Sequence, residues 1–192
     1  MKLESTLKNM ILSLGLIAVV VGALLAVVYS VTSEPIAESA RIKTQEAIAS
    51  VAPKFETVGD QWVGSDAKVV VFPVFNGEEL AGAAVQSYSL SGFSGEITVM
   101  FGFDVNGEVT GYDVLSHSET PGLGAKMQDW FKSTEGKRSV IGRDASQGPL
   151  IVAKDAGGDV DGITAATISS RAFLDALNRA YSVFSEYQSS NK

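Results

Sequence analysis

Apolar residues run almost unbroken from Ile11 to Val31, "ILSLGLIAVVVGALLAVVYSV", and no charge falls between Lys8 and Glu34. An apolar helix of about 20 residues spans the hydrocarbon core of a bilayer. In lipid only a helix satisfies the backbone of a lone segment. A cleaved signal peptide has an apolar stretch of about 7–15 residues, so residues 1–31 are expected to be an uncleaved anchor helix. Lys2 and Lys8 precede the span with only Glu4 against them, whereas Glu34 and Glu38 come before Arg41 and Lys43 beyond it. That slight lean puts the N-terminus inside and the rest of the chain outside the cytoplasm.

Beyond the span the pattern changes twice. Ser33-Glu34-Pro35 reads as a helix start, and Ile36, Ala40, Ala47, Ile48 and Val51 form a loose helical stripe ending at Pro53. Residues 32–53 are therefore expected to form a helical stalk. Period-two patterning follows. Lys68 to Phe75, "KVVVFPVF", reads as a strand that Pro73 confines to an edge or a strand end. Ala81 to Leu90 reads as a second strand. Ile97, Val99, Phe101, Phe103 and Val105 alternate on one face of a third. Asn106-Gly107 predicts a two-residue type I′ turn, with Val109 to Ser116 returning as the partner. The weaker alternation of that return strand suggests cover on both of its faces. A short helix is expected around Lys126 to Lys132, a strand over Pro149 to Lys154, and a loop over Ala156 to Gly162. A helix then runs from about Ala165 to Tyr187, with Phe173, Leu174, Leu177, Tyr181 and Phe184 on its apolar face. Strands followed by segregated helices give an α+β domain, an antiparallel sheet plus helices, over residues 54–188.

Composition narrows the chemistry. The chain has 192 residues and a net charge of −7, so it lacks the basic face that nucleic acid demands. It contains no cysteine, which excludes disulfides, thiolate catalysis and cysteine-ligated iron–sulfur clusters. His117 is its one histidine, so a multi-histidine metal site is excluded too. Hydroxyls, carboxylates and a borrowed cofactor remain.

Two stretches stand out. Glu119, Thr120, Pro121, Gly122, Leu123 and Gly124 follow a strand, and their glycines let backbone amides approach a ligand. A tight strand-to-helix turn accounts for Pro-Gly equally well. "DGITAATISSRAF", Asp161 to Phe173, carries Thr164, Thr167, Ser169 and Ser170 at a helix start. The unpaired amides and positive dipole end of a first turn suit a phosphate. With Thr164 as N-cap, Thr167 falls at N3 beside that anion position, Ala165 and Ala166 leave room, and Asp161 orients a cation or caps the turn. A plain capping run, with Thr164 as the cap, fits the same residues, and the helix start alone does not choose between them.

"DGITAAT" resembles the flavinylation motif Asp-x-x-Ser/Thr-Gly-Ala-Thr of proteins with a covalently attached FMN domain. Asp161, Thr164, Ala166 and Thr167 match it, while Ala165 stands where glycine is usual. "HSETPGLGAK" looks like that family's second signature, and "GFSGEI", Gly92 to Ile97, resembles its Gly-aromatic-x-Gly stretch. Together with one N-terminal span, these motifs make the chain similar to the G-type subunits of the Rnf ion-translocating oxidoreductase complexes. The related C-type subunits of sodium-pumping NADH:quinone reductases are similar but typically longer. The resemblance implies FMN joined to Thr167 through a phosphodiester, loaded by a flavin transferase that uses FAD. It also implies that Glu119, Thr120, Gly122, Leu123 and Gly124 line the flavin. The implied role is an electron carrier between flavin and iron–sulfur subunits of a membrane complex, with no catalytic residue and no metal site of its own. Two other readings stand beside it: a free-standing membrane-anchored FMN reductase, and a non-redox binding module.

Overall fold

A computed structural model describes residues 6–191; Lys2 and Glu4, which enter the orientation argument, lie outside the described residues. The chain divides into two compact units between Lys43 and Thr44.

The first unit is helical. Helix α1 (Leu7–Val51) begins just before the apolar run and continues past it. It is long and apolar enough to cross a membrane, and none of its most apolar window is buried within the protein. The helix start expected at Ser33–Pro35 is absent, because Pro35 lies inside α1. A proline removes one i→i−4 bond, whereas ending and renucleating the helix gives up several. The hydroxyls of Ser30, Thr32 and Ser39 also fold back onto the carbonyls of Val27, Val28 and Pro35.

The second unit is built on one antiparallel sheet. Its strands are β1 (Thr57–Val58), β2 (Trp62–Val63), β3 (Val70–Asn76), β4 (Glu79–Ser89), β5 (Ile97–Asp104) and β6 (Val109–Ser116). The order is β1-β3-β4-β5-β6, with β2 also paired to β3. A short helix α2 (Met127–Trp130) and the long α3 (Thr167–Ser190) complete it. This is the α+β architecture expected. Alternation sorts the side chains: Val71, Ala83, Val85, Val99, Phe101 and Phe103 face α3 in the main core, together with Phe173, Leu177 and Phe184. Val105 departs from the predicted stripe and is exposed, because the chain has left the sheet at Asp104.

The opposite sheet face is covered as well. Val74, Ala84 and Met100 pack against Ala47, Ile48 and Val51, so from Thr44 onward the end of α1 belongs to the folded domain. Thr110 Oγ1 donates to the Val51 carbonyl at 2.6 Å. A Cβ at Gly102 would strike that same carbonyl, so glycine is what lets the helix end rest on the strands. This second layer explains the weak alternation of β6.

Three local expectations are corrected. Pro73 is not on a bare edge: it falls in the register gap between the β1 pairing at Val74–Phe75 and the β2 pairing at Val70–Val71. There its carbonyl accepts from Gly59 N, and no N–H is needed. The β5–β6 turn is not type I′, since of Asn106 and Gly107 only Gly107 has positive φ (+91°). Gly107 N donates to Asp104 O, and Asp104 N donates to Glu108 O. That makes a three-residue loop, a type I turn closed by a left-handed glycine, which the Asp104 carboxylate holds by accepting from the amides of Asn106 and Glu108. Pro149 to Lys154 is not a strand: Val152 forms only an isolated parallel bridge with Val160, as the segment curls on itself through Asp155 N to Val152 O and Val160 N to Ile151 O.

Candidate functional site

Ser89 pairs with Ile97, and Thr98 pairs with Ser116, so the chain leaves β4 and β6 at the same end of the sheet. The two connecting loops meet the start of α3 there and enclose a cavity of about 310 Å³. Phe93 comes from the first loop; Glu119, Thr120, Leu123 and Gly124 come from the second; Ala165 to Ser169 come from the helix start. A wider open groove of about 880 Å³ runs along α3 beside Trp62. It contains none of the motif residues, so the smaller cavity is the candidate.

Glu119 ties the walls together. The residue is 4% exposed, its carboxylate accepting from Ser94 N at 2.9 Å through Oε1 and from Ser169 Oγ at 2.5 Å through Oε2. A Cβ at Gly124 would lie 2.5 Å from Oε2, and one at Gly92 2.8 Å from Oε1. The glycines of both loop motifs therefore make room for this carboxylate. His117, half-buried, accepts the Glu119 amide on Nδ1 at 3.1 Å. It shapes the loop and is not on the cavity wall.

The helix start differs from expectation. Helix α3 begins at Thr167, with Ala166 as an N-cap that has no side-chain cap. Thr164 is exposed and lies two residues too early to cap. Thr167 is thus N1 rather than N3. The amides of Thr167, Ile168 and Ser169 lie in the first turn, where no helical carbonyl reaches them. The four hydroxyls divide their work. Ser169 bonds Glu119, and Ser170 bonds the backbone of Ile163 and Ala166. Thr164 and Thr167 make no hydrogen bond through their hydroxyls among the described residues, and of these two only Thr167 is on the cavity wall.

Ala165 adopts φ +61°, and it is the one described non-glycine residue at positive φ. An alanine in this left-handed conformation costs about 1–2 kcal/mol. That is the physical sense of a glycine at this place in the motif. Asp161 does not reach the cavity. Its Oδ2 accepts from Lys137 N at 2.8 Å and its carbonyl from Trp130 Nε1 at 2.8 Å, bracing the loop before α3. Gly122, with φ +78°, is exposed and also off the wall.

The cavity rim is apolar and uncovered: Phe93 is 68% exposed, Ile168 47% and Leu123 41%. Phe93 and Ile168 are absent from the candidates read from sequence. The signal for Phe93 was its place between two glycines in "GFSGEI"; Ile168, one apolar residue in a helix start, carried none. Apolar side chains around a slot, with free amides at one side, suit a planar ring bearing a phosphate.

Comparison with known proteins decides the family. Residues 92–182 match the FMN-binding domain and residues 1–51 match the RnfG N-terminal region. The G-type subunit of the ion-translocating oxidoreductase complex of Aliivibrio fischeri is 30% identical over 199 residues, covering 96% of this chain and 93% of that protein. The same-named protein of Yersinia pestis is 32% identical, covering 91% and 88%, and that of Shewanella amazonensis is 30% identical, covering 92% and 86%. The chain belongs to the RnfG family. Its cavity falls wholly inside the matched FMN-binding domain, and the match at residues 1–51 favours the G-type over the C-type relatives.

Proposed function

We propose that the chain is a membrane-anchored electron carrier bearing FMN on Thr167 through a phosphodiester. The observation that carries this reading is the division of hydroxyls at the start of α3. Ser169 and Ser170 are buried and bonded, Thr164 is off the cavity, and Thr167 is on its wall with its hydroxyl unengaged.

Attachment joins Thr167 Oγ1 to the FMN-side phosphorus of FAD. The pyrophosphate P–O bond breaks, AMP leaves, and the hydroxyl proton passes to solvent; a flavin transferase supplies the catalysis. The first-turn amides and dipole of α3 stabilise the retained negative charge by about 0.3–1 kcal/mol. Phe93, Leu123 and Ile168 would hold the ring, and Glu119 keeps the three walls in register. FMN supplies the redox chemistry and the protein supplies position and electrostatics. Residues 1–31 anchor the chain, residues 32–43 continue the helix beyond the anchor, and the domain that begins at Thr44 lies outside the cytoplasm. When bound there, FMN would supply electron exchange with flavin and iron–sulfur subunits of an ion-translocating complex.

A free-standing reductase needs a proton donor at its substrate. Both oxygens of Glu119 are already engaged and His117 is off the wall, so the arrangement favours the carrier. The test is Thr167→Val, expressed with a flavin transferase and run on a denaturing gel. The variant should lose the fluorescent band seen for the unaltered chain while keeping its circular dichroism. A fluorescent Thr167→Val band would move the attachment elsewhere.

A further inference from the structure

Ser170 is fully buried at the fourth position of α3, and its hydroxyl faces back into the turn that precedes the helix. It accepts from Ile163 N at 2.8 Å and donates to Ala166 O at 2.9 Å. Ala166 N donates to Ile163 O at 3.0 Å, closing the turn from within. One side chain thus grips both ends of the four-residue segment Ile163–Ala166. Gly162 lies against the same hydroxyl, where a Cβ would sit 3.3 Å from it.

Inside that segment sits Ala165 at φ +61°. Alanine does not hold this conformation by preference; glycine does so without steric cost. The segment ends next to Thr167, so its shape sets where the Thr167 hydroxyl points. We propose that Ser170 is a positioning residue for flavin attachment: its hydroxyl holds Ala165 in the left-handed conformation and so presents Thr167 Oγ1 to the transferase. This rests on the reading of Thr167 as the attachment site. In a chain with glycine at 165 the clamp matters less, because the turn is at ease without it. Loss of the hydroxyl also leaves the amide of Ile163, itself 2% exposed, without its partner, a costly state for a buried donor.

The experiment compares the full-length chain with Ser170→Ala, Ala165→Gly and the double variant in detergent, each given transferase and FAD. Two readouts are taken: the rate of mass gain by intact mass spectrometry, and hydrogen exchange in the peptide covering residues 161–168. Ser170→Ala should load roughly tenfold more slowly, the scale of one lost buried hydrogen bond, with faster exchange in that peptide. The double variant should recover most of the loading rate, since glycine restores the turn without the clamp. Ser170→Ala loading at the unaltered rate would overturn the proposal, as would a double variant no faster than Ser170→Ala. If Ser170→Ala fails to fold, Ala165→Gly alone decides: it should load at least as fast as the unaltered chain, and slower loading overturns the proposal. An unaltered chain that gains no mass at all would instead overturn the attachment site itself, and the proposal with it.

Discussion

Ser169 donates its hydroxyl to Glu119 Oε2 at 2.5 Å, joining the first turn of α3 to the loop that leaves β6. Fifty positions apart in sequence, the two side chains are both buried, and their bond fixes one side of the cavity. Gly124 is pressed against both of them.

Gly124→Ala should therefore drive a methyl into the Ser169–Glu119 bond. Overpacking at a tight buried site costs typically about 1–3 kcal/mol. Urea unfolding of the detergent-solubilised chain should show a lower midpoint than for the unaltered chain. An unchanged midpoint would mean that the loop has slack around Glu119.

The centre of the main core is Phe173. It stacks on Phe131 at 4.3 Å between centroids and meets Tyr112 edge-on at 4.8 Å and Phe101 at 5.4 Å. Phe173→Ala should cost about 3–5 kcal/mol, because rigid rings on three sides cannot collapse into the space. Thermal unfolding followed by circular dichroism measures this, and a loss below about 1 kcal/mol would contradict the packing, since even a buried methylene is worth about 0.8 kcal/mol.

Tyr112 gives the domain a response to alkali. Burial pushes its phenol well above the ordinary value near 10, and its hydroxyl donates to Met127 O at 2.7 Å. A group whose folded value is raised favours the folded state below the unfolded value and loses that contribution as pH climbs past it. Stability should thus fall above about pH 10, where the phenol ionises in the unfolded chain but stays protonated in the core. Tyr112→Phe should be less stable near neutrality, by the net worth of a hydrogen bond, about 1 kcal/mol, and should lose less between pH 9 and 11. Parallel pH profiles for the two proteins would contradict this.

What could be read from the sequence followed from patterns that one element decides by itself. The stripe Ile97, Val99, Phe101 and Phe103 needs only a sheet with a buried face, and Phe173, Leu177 and Phe184 need only a helix lying on it. What could not be read depended on distant partners. Asn106-Gly107 promised a type I′ turn, but the Asp104 carboxylate selects the longer loop by binding two amides. Ile151 and Val152 look like strand residues, yet Gly158 comes so close to the Val152 carbonyl that the segment folds back on itself. Four hydroxyls at the start of α3 offered several caps. Glu119, Ile163 and Ala166 took two of those hydroxyls and moved the first helical residue to Thr167. The candidate site was legible through the family's motifs, and the hydrogen-bond partners of each hydroxyl only through the fold.

The most direct measurement is the intact mass of the chain purified from its own host membranes, with peptide mapping of the segment around position 167. The account predicts a gain equal to FMN less one water, located on Thr167. A chain isolated with its loading machinery active and found consistently at its unmodified mass would contradict it.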